Sequence, residues 1–176
     1  MGFALLSGAI VVFVTNSPVL EIEIQDIDGK STPFSDSLTT FPMAIVILDP
    51  YTLESSWIID TASRILTHFQ GADVRPAFLI SGSSAEGAAT FLGPLTKKIL
   101  SLVDENRNMV KELSIESLPA FVVIRQDGSV LGSVEGWDPK TWRSLAEDLA
   151  ELTSWSTPEI PALPDPSPYK GTPALA

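Results

Sequence analysis

The sequence predicts an α/β fold: a central mixed sheet flanked by helices, an apolar N-terminal segment before it and an extended Pro-rich tail after it. Three observations carry this. Met43–Leu48 (MAIVIL) is an unbroken apolar run, as in strands buried on both faces and covered by helices, and Pro76–Ser81 (PAFLIS) is the next buried strand. Between them, Leu53–Gln70 carries apolar residues at helical spacing. Further on, Ser114–Gly136 reads as a loop, Pro119, a strand, a tight turn and a second strand.

Bulk properties narrow the function classes. A chain of 176 residues fits one domain with tails, and 44% apolar residues are ample for a core. The net charge of −11 argues against a nucleic-acid partner, because phosphate binding needs clustered Lys and Arg. It also argues against docking on anionic lipid by charge; an acidic surface mostly serves solubility. There is no cysteine, which excludes disulfides, thiolate nucleophiles, Cys-ligated zinc and iron–sulfur clusters. The absence fits oxidising and reducing compartments alike. His68 is the sole histidine, so a multi-His metal site is excluded and a Ser-His-acid triad would have to use it. No cofactor or metal is expected.

Met1–Leu20 carries no charged side chain. As a helix, Met1–Val14 would reach ~21 Å, short of a ~30 Å hydrocarbon core. Extension to Leu20 takes in Asn16 and Pro18, and no Lys or Arg precedes the run, unlike a secretory signal. A marginal membrane anchor, a helix buried against a partner and an extra strand all remain open. Glu21, Glu23, Asp26 and Asp28 follow, and no basic cluster holds this side in the cytoplasm. The expectation is membrane association through residues 1–20, with the domain on the extracytoplasmic side.

Val19–Gln25 (VLEIEIQ) alternates with Leu20, Ile22 and Ile24 on one face, a half-buried strand. Asp28-Gly29 turns it, and Lys30–Phe34 pairs back. In Leu53–Gln70, Ile58, Ala62, Ile65, Leu66 and Phe69 form one stripe, with Thr52 or a nearby Ser as N-cap and Gly71 as the stop. His68, near the last turn, reads as a helix-end cation or a solvated residue. Ser83-x-x-Glu86 is a capping-box pattern opening a helix to about Leu92. Ile99–Val103 is a strand, and Asp104 caps a helix over Asn106–Leu113. Ala120–Ile124 and Ser129–Glu135 flank Asp127-Gly128, a two-residue type I′ hairpin signal. Asp138 and Pro139 start the last helix as N-cap and N1. From Ser156 the pattern stops, and six prolines mark a tail that is disordered or orders on a neighbour. The division is 1–18, 19–153 and 154–176.

Four stretches then line up: EIEIQDIDGKSTPF, MAIVILDPYTLESS, ILSLVDENRNMVKELSIESLPAFVV and RQDGSVLGSVEGW. In that order, over Val19 to Thr153, they resemble the thioredoxin fold in its peroxiredoxin and TlpA-like branch. The resemblance implies a Cys-x-x-Cys just after the first buried strand, where a helix N-terminus stabilises a thiolate. Here that place reads Thr52-Leu53-Glu54-Ser55. Read as a peroxidase site, the loop puts Ser55 at the attacking cysteine. A hydroxyl does not ionise near neutral pH, so disulfide exchange and thiol peroxidase chemistry are excluded. An activated Ser55 would need a base. His68 lies about 20 Å along the same helix at 1.5 Å per residue and cannot reach. Asp49 and Glu54 leave a non-thiol enzyme as a third reading, which needs a cleft. The plainer reading makes Thr52 and Ser55 caps, with Glu54 favouring the positive helix end.

Leu118-Pro119 matches the family's cis-proline position, whose loop binds extended substrates by backbone pairing. What remains is a groove with strand-pairing capacity, or a proline that only shapes the core. The resulting expectation is a redox-inactive, non-enzymatic structural or accessory subunit of a larger, membrane-bound or soluble, assembly. Its partners are proteins, its N-terminal segment and tail are docking arms, and Thr52, Leu53, Glu54, Ser55, Leu118 and Pro119 are the partner-binding residues. The alternative is a soluble client-binding, chaperone-like module using the groove beside Pro119.

Overall fold

Every residue of β5 (Met43–Leu48) is buried, and the sheet is built outward from it. The computed structural model describes residues 2–6, 10–14, 17–38 and 40–175, with side chains from Ser17 onward. β5 pairs in parallel with β6 (Arg75–Ser81), and β6 in parallel with β7 (Leu100–Asp104). On its other side β5 pairs antiparallel with β9 (Ala120–Ile124), and β9 with β10 (Val130–Glu135). At the far edge β3 (Glu23–Asp26) runs antiparallel to β7, and β4 (Ser31–Pro33) antiparallel to β3. The seven-stranded order is β10-β9-β5-β6-β7-β3-β4. The mixed α/β architecture matches the expectation, with its parallel middle and antiparallel closing hairpin.

Strand side chains alternate between two cores. Ala44, Val46 and Leu48 face the larger one, under α2 (Ile59–His68), α3 (Ala85–Leu92) and α5 (Pro139–Thr153). Met43, Ile45 and Ile47 face the smaller one, with Phe34, Met109 and Val110. Helices thus cover both faces, which is why β5 and β9 have no wet side.

β1 (Gly2–Leu6) and β2 (Ile10–Val14) pair antiparallel as a separate two-stranded sheet. Among the described residues no helix is long and apolar enough to cross a membrane.

Several local expectations differ from the structure. The first half of Val19–Gln25 is a 3-10 turn over Pro18–Glu21, with Pro18 at its start, where a missing N–H is harmless. The long helix is broken at Ile58 into α1 (Leu53–Trp57) and α2. Gly71 stays small for packing: a Cβ there would lie 3.1 Å from the Trp155 ring. The cap of α3 is Ser84, which accepts from Gly87 N, one residue later than Ser83; the Ser83 hydroxyl donates instead to Ser84 O. The Asp127-Gly128 turn is not type I′. Gly128 alone has positive φ, +85°, and Arg125 N bonds Ser129 O across a three-residue loop. One left-handed glycine following a type I turn serves that longer connection.

Asp104 caps α4 (Asn108–Glu112) from the end of β7, as expected, though the helix is shorter than read. Its Oδ2 accepts from Met109 N at 2.9 Å and Val110 N at 3.1 Å. Burial raises its pKa, and the backbone donors of Met109, Val110 and Asn108 oppose that. Asp104→Ala strands buried donors and is expected to cost about 1–3 kcal/mol per donor in urea unfolding. Asp104→Asn keeps the acceptor oxygen, removes the buried charge and should fall closer to the parent protein.

Candidate functional site

The corner after β5 is held by its own hydroxyls. Asp49 is 6% exposed, and its Oδ1 accepts from Tyr51 N. Thr52 Oγ1 donates to Asp49 O at 3.1 Å. Ser55, fully buried, accepts from Asp49 N at 2.9 Å. Thr52 has N-cap dihedrals, but its side chain makes no cap bond. The expected capping role is therefore corrected: both hydroxyls staple the strand-to-helix corner. Leu53 is exposed and Glu54 half-buried.

Leu118 and Pro119 arrive at the same end of the sheet. Ile47 is opposite Ala120, so Pro119 lies where β5 ends and the Asp49–Ser55 corner begins. The Leu118-Pro119 bond is cis and both residues are buried. His68, at the other end of α2, bonds the Ser156 carbonyl through Nε2 at 2.9 Å and stays remote from Ser55. The cleft of about 500 Å³ beside the corner is lined by Pro50, Tyr51, Ser83, Ser84, Glu86 and Phe91, among others, and not by Asp49, Glu54 or Ser55. The carboxylate-pair site of the non-thiol enzyme reading is not assembled there. Among the described residues no cluster of three or more His, Cys, Asp and Glu could hold a metal.

The tail, expected to be disordered or to order on a neighbour, is instead packed on its own domain. Its path starts at the end of α2, where Trp155 Nε1 donates to His68 O. Arg64 pairs with Asp165 at 2.6 Å, and Thr61 donates to the other Asp165 oxygen. Trp137 Nε1 donates to Pro166 O at 2.8 Å. Trp137 and Tyr169 then pair main chain to main chain. The Tyr169 hydroxyl donates to Glu54 O at 2.5 Å, and its ring meets Trp57 edge-on at 5.4 Å. Finally β11 (Thr172–Pro173) pairs antiparallel with β8 (Ser117–Leu118), the two residues before Pro119. The groove that the sequence offers to an extended client is occupied by the chain itself.

Sequence reading missed Trp57, Trp137, Tyr169 and Gly171. One signal was present: Tyr169 is the sole aromatic after Trp155, and an aromatic with a polar tip in a Pro-rich stretch is a natural anchor.

No protein-family model matches the chain, and no curated protein matches it in sequence. Solved structures do. A secreted disulfide oxidoreductase of Mycobacterium tuberculosis, homologous to Escherichia coli DsbE, superposes with TM-score 0.52 at 16% identity, over 65% of this chain and 83% of that one. DsbF of Mycobacterium tuberculosis, in mixed oxidized and reduced forms, gives TM-score 0.59 at 15% identity, over 76% and 96%. A hypothetical protein from Sinorhizobium meliloti gives 0.66 at 10%, over 93% and 95%. The fold is thioredoxin-like, and this chain carries it without a cysteine.

Burial, and then the Glu54 carboxylate, push the Tyr169 hydroxyl well above the ordinary tyrosine range. The folded state thus favours the neutral phenol, so the unfolded chain loses this proton first. The contribution is complete below about pH 10, the unfolded value, and is lost as pH rises beyond it. Tyrosinate absorbance in a Tyr51→Phe background should show a midpoint above 10. Thermal stability should fall over that alkaline range, and less so in Tyr169→Phe.

Proposed function

We propose that this protein is a redox-inactive, non-enzymatic member of the thioredoxin-like fold that serves as an accessory interaction subunit of a larger assembly. The observation carrying this is the state of the corner at Asp49–Trp57. Its hydroxyls are spent on holding the backbone, while its large apolar side chains face outward: Tyr51 is 76% exposed, Leu53 67% and Trp57 51%. Leu53 and Trp57 are four apart on α1 and share a face. Exposed apolar clusters of this kind mark protein contacts, and the ledge stands where a reactive thiol would otherwise meet its substrate. Residues 1–20 are the proposed route to a membrane, with the domain on its extracytoplasmic side; the uncharged N-terminal run and the lack of a basic cluster after it support this.

The client-binding alternative is the weaker one, because the groove it needs holds β11. The N-terminal segment keeps its proposed role as an arm, whereas the Pro-rich tail serves its own domain.

The full-length chain, recovered from native membranes in mild detergent, should bring down a stable protein partner. Leu53→Asp combined with Tyr51→Ser should leave unfolding stability within about ±0.5 kcal/mol, as exposed substitutions do, and reduce partner recovery several-fold. A monomer that recovers no partner, or recovery untouched by the double substitution, would overturn the proposal. In an insulin-reduction assay the protein should not exceed the buffer rate.

A further inference from the structure

Exposed apolar side chains gather at the two ends of the sheet. The Tyr51–Trp57 ledge lies where β5 finishes. At the other end, where Met43 opens β5 opposite Ile124, Phe41, Val130, Leu152 and Trp155 are exposed. Two depressions join them. Phe41 and Leu152 line a cavity of about 450 Å³ with Pro42, Asp73 and Gln126, among others. Leu152 also lines one of about 320 Å³ with Leu131, Asp148 and Glu151. Trp155 follows Ser154, which lines the first cavity, and its Nε1 is held by the His68 carbonyl. Asp73, Asp148 and Glu151 are the charged groups of the two linings, and no Lys or Arg among the described residues joins them. The uncharged N-terminal run leaves the domain at this same end. Ser17 Oγ donates to Gly128 O at 2.9 Å, in the turn between β9 and β10. Gly128 passes so close that a Cβ would sit 2.8 Å from Leu20 Cγ and 2.9 Å from Ser17 Cβ. Residues 17–20 are thereby pinned to the turn that follows Ile124.

We propose that this end of the domain, with Phe41, Val130, Leu152 and Trp155, is a second membrane contact that rests on the surface of an electrically neutral phosphatidylcholine bilayer. The inference rests on the reading of residues 1–20 as the route to a membrane. A single weak apolar anchor binds reversibly, and stable attachment takes a second signal. The patch supplies that signal at the point where the chain enters the domain. Trp155 suits the headgroup level, where tryptophan collects. The carboxylates of Asp73, Asp148 and Glu151 repel anionic lipid but meet the outermost group of phosphatidylcholine, a quaternary ammonium cation, favourably. The Tyr51–Trp57 ledge, about 20 Å away along the six residues of β5, then lies on the side away from the bilayer.

The four tryptophans make the test direct. Trp137 and Trp142 are buried, so Trp57 and Trp155 report the two ends of the domain. The full chain is mixed with phosphatidylcholine vesicles whose acyl chains carry bromine, a short-range quencher of tryptophan fluorescence, and binding is followed in parallel by flotation. Circular dichroism confirms that each variant is folded. The parent protein should float and be quenched; Trp155→Phe should lose most of the quenching, and Trp57→Phe should keep it. Phe41→Ser combined with Leu152→Ser should weaken vesicle binding several-fold, and replacing part of the lipid with phosphatidylglycerol should weaken it too. Flotation without quenching, quenching that disappears with Trp57 instead, binding untouched by the double substitution, or tighter binding to phosphatidylglycerol would each overturn the inference while leaving the membrane reading in place. A full chain that does not float at all would overturn both.

Discussion

Trp137 and Tyr169 exchange two main-chain hydrogen bonds, and the layout of this end of the molecule depends on them. Trp137 is 1% exposed, belongs to the larger core and stacks edge-on against Trp142 at 5.1 Å. Its backbone therefore cannot drift, and whatever pairs with it is placed as firmly as the core. Six residues past Pro168 the chain has reached Ala174, in the core on the opposite face of the sheet. One segment thus ties together two layers that the sheet otherwise keeps apart. Glu116 and Ser117 are oriented for the same purpose from behind, where both amides donate to Glu135 of β10.

The hydroxyls at Thr52 and Ser55 show how a fold can keep a site's shape while its chemistry goes elsewhere. A thiolate at this corner would be a charged nucleophile needing access and a stabilising environment. Ser55 has neither: it is fully buried, and its oxygen already accepts the Asp49 amide. Thr52 is likewise engaged with the Asp49 carbonyl. The Ser55 hydroxyl satisfies the buried Asp49 amide, and an unmet buried donor is costly; the Thr52 hydroxyl adds a second donor to the Asp49 carbonyl, which also accepts from Thr52 N at 3.2 Å. Structural demand on the corner therefore accounts for the residue types, with no catalytic demand required.

The parts of the fold legible in the sequence are those set by burial. MAIVIL read as a strand covered on both faces and Ala120–Ile124 as one arm of a hairpin, and both are fully buried. Asp138-Pro139 read as a helix start, and Asp138 accepts from Lys140 N as its cap. What failed was set by competition between neighbours. Val19–Gln25 has strand alternation, yet Pro18 starts a turn there. Ser83 and Ser84 are both competent caps, and burial of Ser83 hands the role to Ser84. The pairing of the Thr52–Ser55 corner with Leu118-Pro119 came from the resemblance alone, because no local pattern places residues so far apart at one end of a sheet.

The Pro-rich segment is the instructive failure. Its composition forbids a core of its own, which is why it read as disordered or as an arm for a neighbour. That rule weighs what a segment can bury against itself. Here Ile160 and Ala174 enter cores built by the preceding residues, and Asp165 meets Arg64, Thr61 and the Ala162 amide at once. Ordering a residue costs about 1–2 kcal/mol of backbone entropy, and proline, with φ already restricted, has less of it to lose. Proline also brings no amide that must find a partner, so a surface strap can be dense in it without stranding donors. The six prolines thus lower the cost of laying the chain along α2 and on to β8, and the finished domain supplies the contacts that the segment lacks.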